Sequence, residues 1–351
     1  MQQGIKRLVH FEKWAAPLAG ELLAARSDVN VTSLHFNDPD ALTWESMRRA
    51  HGYQIPGRTE LRNPWFGDAN LLAHCPDLLA ISSLGAGFDM VDVAACTAAG
   101  VLVCNQSGSN FEAVAEHAIG MMIALSKNIV QSHAAMKRAD KLDRWSFTGH
   151  DIFGKTVGIV GIGHIGRRTA ELCRAFSMEV LACDPYLSEE EVRRRGAEKV
   201  TLNELIARSD FISLHCPRTA ETMNMFGAAQ FAAMKRTAFF IDTARGGTYG
   251  EAALDAALEQ GRLAGAGLDV FLHEPPAKDH PLLWRDNVIA SPHNAGMTFE
   301  ALDNMARMTV EQWFTIFDGG IPPRMVNPEA WPLYCQRFER IFGYRPKDLP
   351  A

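Results

Sequence analysis

The sequence has no CxxC pair among its seven cysteines and no cysteine–histidine spacing of the kind that holds zinc. An odd number of thiols scattered among apolar neighbours, as in Leu172-Cys173 and Ala182-Cys183, argues against a disulfide framework and reads as buried free thiols in a reducing compartment. Positive charge is scarce too. Against 41 Asp+Glu stand 35 Lys+Arg, a net charge of −6, which supplies no basic field for a phosphate backbone or an anionic membrane surface. Long apolar runs are missing: the longest, around Ala118–Leu125, falls far short of the ~20 residues a bilayer needs. Met1–His10 is too polar for a secretory leader. These absences lead to the expectation of a cytoplasmic protein with no metal site and with neither nucleic acid nor membrane as a partner.

What is present is ordinary globular composition, 47% hydrophobic and 22% charged over 351 residues. At ~100–200 residues per domain, two domains are expected. Short β-branched runs at Ile5–His10, Val29–Leu34, Leu78–Ser83 and Val101–Cys104 alternate with helical stretches near Pro17–Arg26, Gly67–His74 and Val91–Ala99. Strand, helix, strand without hairpin turns implies a parallel sheet covered on both faces. Apolar residues at helical spacing predict one long helix from Asn110 to about Val130, followed by a polar surface segment, Lys137–Asp143. The alternation then restarts, with strands at Thr156–Val160, Val180–Cys183, Phe211–Leu214, Phe239–Asp242, Gly267–Phe271 and Val288–Ala290. Helices are expected at Ile165–Phe176, Leu202–Ala207 and Ala252–Gln260. Trp331, Tyr334, Phe338, Ile341 and Phe342 recur at helical spacing and predict a docked C-terminal helix.

One glycine pattern stands in the setting its chemistry requires. Gly161-Ile162-Gly163-His164-Ile165-Gly166 directly follows a strand and opens a helix. Gly161 permits the tight turn, Gly163 lets the backbone approach a pyrophosphate, and Gly166 lets helix and strand pack closely. The free N–H groups of the helix start face the anion. Asp184 ends the next strand, where a carboxylate receives an adenosine ribose and repels a 2′-phosphate; the bland reading is a turn residue before Pro185. Pro185 and Tyr186 supply no arginine, so NAD is expected rather than NADP.

In an open parallel sheet, ligands bind beyond the carboxyl ends of the strands. The residues expected there are His215-Cys216-Pro217, then Asp242 through Gly247, then His273 and Glu274 after the strand that carries Asp269, and finally Ser291-Pro292-His293-Asn294. Their types suit hydride exchange at a carbon bearing oxygen. Arg245 can bind a carboxylate bidentately, His293 can move the hydroxyl proton, and Glu274 can orient the imidazole and favour its charged form. Taken singly, each could be a solvated loop residue. Their joint placement at one rim favours a catalytic set.

Several segments together resemble the D-isomer-specific 2-hydroxyacid dehydrogenase family: Gly161–Gly166, His215–Thr222, Asp242–Gly247, Gly267–Pro276 and Ser291–Gly296. The likeness runs from about Leu78 to Asn327. It implies an α/β fold of two doubly wound parallel-sheet domains, a flavodoxin-like substrate domain and a Rossmann NAD domain, with a cleft between them. The implied division is 1–106 and 297–333 for the substrate domain, 107–296 for the NAD domain, and 334–351 as a C-terminal docking segment. The resemblance implies interconversion of a D-2-hydroxy acid and its 2-oxo acid with NAD as cofactor. Arg245 would bind the substrate carboxylate, His293 would be the acid/base and Glu274 its partner. By the same resemblance His164 and Ile165 belong to the pyrophosphate loop, Pro217 and Thr222 to the adenosine wall, and Thr243, Ala244 and Asp269 to the nicotinamide side. Leu84, Gly85 and Ala86 match a glycine loop whose N–H groups hold the substrate carboxylate. Val114 lies on a helix that approaches the cofactor and builds a homodimer.

The departures concern substrate rather than reaction. The family commonly has asparagine where Asp242 stands, and a valine and an acidic residue where Tyr249-Gly250 stand, so the helix that follows loses an acidic cap. The stretch Gln54–Trp65 matches poorly, and two readings of Arg58 stand: a solvated loop arginine, or a contact to a distal substrate group. With no further domain expected after residue 330, a general 2-oxo acid reductase is favoured over a serine-biosynthetic phosphoglycerate dehydrogenase. A second reading keeps the fold without turnover, as an NADH-responsive binding module of corepressor type.

Overall fold

A computed structural model of the chain describes residues 4–58, 60–138 and 140–349. Thr59, within the divergent stretch Gln54–Trp65, and Ala139, within the polar segment after the first long helix, lie outside the described residues, as do Met1–Gln3 of the proposed non-leader and Pro350-Ala351 of the docking segment. The chain forms two compact units, one of residues 1–110 and 298–351, the other of residues 111–297.

The first unit opens with β1 (Lys6–Phe11), α1 (Leu18–Ala24), β2 (Val29–Leu34), α2 (Asp40–Arg48), β3 (Gly52–Ile55), α3 (Ala69–His74), β4 (Ala80–Ser83), α4 (Val93–Ala99) and β5 (Leu102–Cys104). The strands pair in parallel in the order β2-β1-β3-β4-β5. Strands β3, β4 and β5 are buried throughout, as expected where both faces of a parallel sheet are covered. Strand β3 refines the sequence reading: Gln54 and Ile55, the first residues of the poorly matching stretch Gln54–Trp65, lie in the middle strand of the sheet. Arg58, just beyond it, is exposed and donates to the Asp89 carbonyl at 3.0 Å.

The second unit holds α5 (Phe111–Ser126), α6 (Ile129–Arg138), β6 (Thr156–Val160), α7 (His164–Ala175), β7 (Glu179–Cys183), α8 (Glu189–Arg194), β8 (Glu198–Lys199) and α9 (Leu202–Arg208). It continues with β9 (Phe211–Leu214), α10 (Ala228–Ala233), β10 (Phe239–Asp242), α11 (Glu251–Glu259), β11 (Gly265–Leu268) and β12 (Val288–Ala290). Its seven strands run parallel in the order β12-β11-β10-β9-β6-β7-β8. The chain moves outward from β6 to β8 and returns on the other side at β9, so the sheet has a switch point between β6 and β9. The expected single helix to Val130 is broken in two. Asn128 adopts φ +52, a conformation asparagine tolerates better than most residues, and its amide donates to the Phe147 and Thr148 carbonyls. A second correction concerns Asp269: β11 ends at Leu268, so Asp269 lies just beyond the strand rather than within it.

The chain then completes the first unit with α12 (Phe299–Phe317) and α13 (Trp331–Phe342). Trp313, Phe317, Trp331, Tyr334 and Phe338 join Leu8, Ala80 and Leu102 in one core on one face of the five-stranded sheet. Helix α13 runs unbroken through residue 334 and is part of this core. Gly52 is required here, because a Cβ at that position would stand 2.5 Å from the Trp313 ring. No helix among the described residues is long and apolar enough to cross a membrane, and no group of three or more potential metal ligands occurs among them.

Candidate active site in the second unit

The glycine turn is built as its spacing requires. Gly161 adopts φ +84, and a Cβ on Gly166 would stand 2.1 Å from the Gly161 carbonyl oxygen. A Cβ on Gly163 would meet nothing within 4 Å, so open space lies before the start of α7. His164 is exposed there and Ile165 half-buried. Arg195 braces the turn from behind, donating to the Ile162 carbonyl at 2.6 Å while Glu191 holds its other nitrogens. Asp184, at the end of β7, accepts from Ile162 N–H at 3.1 Å and from Tyr186 N–H at 3.1 Å. The ribose candidate is thus hydrogen-bonded to the glycine turn itself, a link that spacing alone does not show.

Across the switch point, Thr222 donates to the Pro217 carbonyl at 2.7 Å, closing the turn after β9. His215 is pushed down by burial to about 3, so it stays neutral. Beyond β10 come Thr243, whose buried hydroxyl has no hydrogen-bond partner, and Ala244, whose N–H donates to Asp242 Oδ1 at 2.8 Å. Arg245 is half-buried, with Nη1 folded onto the Ala244 carbonyl at 2.7 Å. Val114 is buried on α5.

The loops after β11 and β12 meet. His293 Nδ1 lies 2.7 Å from Glu274 Oε2, with the imidazole 40% exposed and the carboxylate 18%. Glu274 Oε1 accepts from Phe271 N–H at 3.0 Å. Burial pushes the Glu274 carboxyl up, but the hydrogen bond and charge of His293 outweigh it, and the net shift is downward. His293 adopts φ +54, an uncommon conformation for a residue with a side chain. Asp269 holds it there. Its carbonyl accepts from His293 N–H at 2.8 Å, and its carboxylate accepts from Ser291 Oγ at 2.6 Å, Asn294 N–H at 2.9 Å and Ala295 N–H at 3.0 Å. His117 of α5 adds a contact from its Nε2 to Ser291 Oγ at 3.0 Å. Sequence reasoning missed His117 and Thr248, the latter donating to buried Asp242. The only signal for either was its nearness to a residue already singled out.

The first unit places Leu84, Gly85 and Ala86 in the half-buried loop after β4. The Gly85 carbonyl accepts from Gln106 N–H and Ser83 Oγ, and the Ala86 carbonyl from Asn105 Nδ2.

The turn, the open space at Gly163, the carboxylate ending β7 and the unpartnered Thr243 hydroxyl together fit a dinucleotide. Comparisons with known proteins agree. Residues 119–295 match the family model for D-isomer specific 2-hydroxyacid dehydrogenase, NAD binding domain. The chain is 40% identical over 244 residues to D-3-phosphoglycerate dehydrogenase of Archaeoglobus fulgidus, covering 70% of this chain and 46% of that protein. It is 37% identical over 266 residues to glyoxylate reductase of Korarchaeum cryptofilum, covering 75% and 80%. The crystal structure of D-lactate dehydrogenase from Aquifex aeolicus, complexed with NAD and lactic acid, superposes with a TM-score of 0.78 at 27% identity, covering 91% of this chain and 98% of that one. The chain spans about half the length of the phosphoglycerate dehydrogenases it matches. With half its residues inside the family model and most of a glyoxylate reductase covered, the chain belongs to the D-isomer specific 2-hydroxyacid dehydrogenase family, whose NAD-binding domain it carries at residues 119–295.

Proposed function

We propose that the protein reduces a small 2-oxo acid to the D-2-hydroxy acid, and catalyses the reverse, with NAD as its cofactor. The observation that carries this reading is the His293–Glu274 pair at 2.7 Å, placed at the carboxyl edge of the sheet that bears the glycine turn. NAD, when bound, supplies or accepts the hydride. Arg245 binds the substrate carboxylate and so fixes which face of the carbonyl is presented. Glu274 holds His293 by Nδ1, leaving Nε2 to give a proton to the carbonyl oxygen as it becomes a hydroxyl. In the reverse direction the same nitrogen takes the proton back. The N–H groups of Leu84, Gly85 and Ala86 form a second set of contacts to the substrate carboxylate.

Gly161, Gly163, His164, Ile165 and Gly166 hold the pyrophosphate, Asp184 the adenosine ribose, and Pro217 and Thr222 the adenosine wall. Thr243, Ala244, Asp269 and Val114 line the nicotinamide side. Around Asp184 a surface pocket carries Glu189 and Glu204 against Lys199, and this negative balance disfavours a 2′-phosphate and so NADP. A homodimer is proposed because α6 buries none of its residues within the chain and, with Trp145 beyond it, exposes Ile129, Val130 and Met136. The working location is the cytoplasm, without nucleic-acid or membrane partners. Residues 1–106 and 297–333 are assigned to substrate binding, 107–296 to NAD and 334–351 to a docking segment.

The test is NADH consumption against about twenty 2-oxo acids of varied size and charge, a range wide enough to expose side-chain selection. Turnover with at least one acid, as D-product, is expected. Tight NADH binding with no turnover across the panel would overturn the reading in favour of a binding module.

A further inference from the structure

Beneath Arg245 lies a proton count that does not balance with every acid ionised. Thr248 Oγ1 stands 2.5 Å from Asp242 Oδ2 and 2.9 Å from the Arg245 carbonyl oxygen. A threonine hydroxyl carries one hydrogen. If Asp242 is ionised, that hydrogen serves one of the two oxygens and the other approach sets lone pair against lone pair. Both Asp242 and Thr248 are wholly buried, so water does not soften the mismatch. A proton on Oδ2 resolves it: Oδ2–H donates to Thr248, Thr248 donates to the Arg245 carbonyl, and Oδ1 still accepts from Ala244 N–H at 2.8 Å.

We propose that Asp242 works as a neutral carboxylic acid, whose proton closes the chain through Thr248 that fixes the Arg245 turn. Asp242 is then a positioning residue for Arg245, and its consequence for substrate rests on the carboxylate-binding role proposed above. The surroundings agree. Burial pushes the Asp242 carboxyl up to about 7, with Thr248, Ala244 and the Arg245 charge pulling the other way. Cys216 faces it from the end of β9 and is itself pushed up by burial to about 12. Tyr249, beside Glu251 and Glu274, faces it from the start of α11 and is likewise raised by burial. Among the groups that act on the Asp242 carboxyl directly, Arg245 supplies the positive charge. Ionisation above neutrality draws the Thr248 hydrogen to Asp242 and leaves the Arg245 carbonyl with only the longer bond from Thr248 N–H at 3.4 Å.

The experiment compares the full chain with Asp242→Asn and Thr248→Val, using NADH and glyoxylate between pH 6 and 9. Asparagine offers an N–H donor where the acid has its O–H and does not ionise. The expected result is a glyoxylate KM that rises severalfold through neutrality in the parent, stays flat in Asp242→Asn, and is high at every pH in Thr248→Val. In parallel, the resting protein should show a carboxylic-acid carbonyl band in the infrared that Asp242→Asn lacks and that titrates away near neutrality. A flat parent KM, or an Asp242→Asn KM that tracks the parent, would overturn the positioning role. Glyoxylate reduction without the band would overturn the neutral acid. The band without turnover on any 2-oxo acid would instead overturn the functional reading and leave the protonation standing.

Discussion

His293 and Glu274 come from loops after different strands, yet their side chains meet at 2.7 Å with the geometry of a shared proton. Glu274 is fixed on its other oxygen by Phe271 N–H, so the carboxylate is aimed before any substrate arrives. A carboxylate so placed orients the imidazole through Nδ1. In Glu274→Gln that orientation is weakened, and kcat should fall severalfold while NADH affinity holds. Turnover measured beside NADH titration decides the matter, and a parental kcat would show that Glu274 does not position the acid.

Removing the imidazole should do what removing its partner does not. His293→Ala is expected to lower kcat by about 10²–10⁴ at every pH, the usual contribution of a positioned acid. NADH affinity, proposed to rest on the glycine turn and Asp184, should change little. Fluorescence titration with NADH beside turnover measurements separates the two. Near-parental kcat would assign the proton transfer to another group.

Asp269 touches no reacting atom in this scheme, yet it secures the residue that does. Its carboxylate takes Ser291 Oγ and the N–H groups of Asn294 and Ala295, which hold the His293 backbone at φ +54. Asp269→Ala leaves the buried Ala295 N–H unpaired, at about 1–3 kcal/mol, and frees the part-buried Ser291 and Asn294 donors. The melting temperature should fall, and the amides of Asn294 and Ala295 should exchange faster. Unchanged protection of those two amides would mean the loop is held by something else.

Much of this was legible in the residue order, for a physical reason. Strands buried on both faces appear as runs such as Val157–Val160 and Phe239–Ile241, and whatever follows such a run stands at the binding edge. Arg245, Glu274 and His293 could be found that way. Strand β3 could not, because Gly52 and Gln54 carry no strand signal. Gly52 is there to admit the ring of Trp313, whose Nε1–H donates to Gln54 at 2.8 Å from the far end of the chain. The break at Asn128 was hidden because Ile129 and Val130 continue the apolar pattern on the far side of it. The links from Thr248 to Asp242 and from Ser291 to Asp269 depend on how loops return, which spacing does not encode.

A buried acid held neutral leaves a mark on stability. Burial raises Asp242 from its ordinary 3.8 to about 7, so the folded chain binds more protons than the unfolded one between those values. This group's contribution to stability therefore falls as pH rises across that window and levels off above it. Asparagine does not titrate. Asp242→Asn should match the parent near pH 4 and exceed it near pH 8 by on the order of a few kcal/mol. Denaturant unfolding at several pH values tests this, and a pH-independent difference would remove the titration from Asp242.

Asp184 has two duties that substitution can separate. In the role proposed for it, its charge receives the adenosine ribose, while its oxygens accept from Ile162 N–H and Tyr186 N–H at 3.1 Å each. Asp184→Asn keeps an acceptor for the turn and removes the charge. Discrimination against NADPH should relax while NADH affinity falls only modestly. Asp184→Ala removes both, leaving Ile162 N–H unpaired in the pyrophosphate turn, and should cost roughly tenfold or more in NADH affinity as well. Dissociation constants for both cofactors in both variants give the answer. If neither variant shifts the NADH-to-NADPH ratio, Asp184 serves the turn alone and the ribose is read elsewhere.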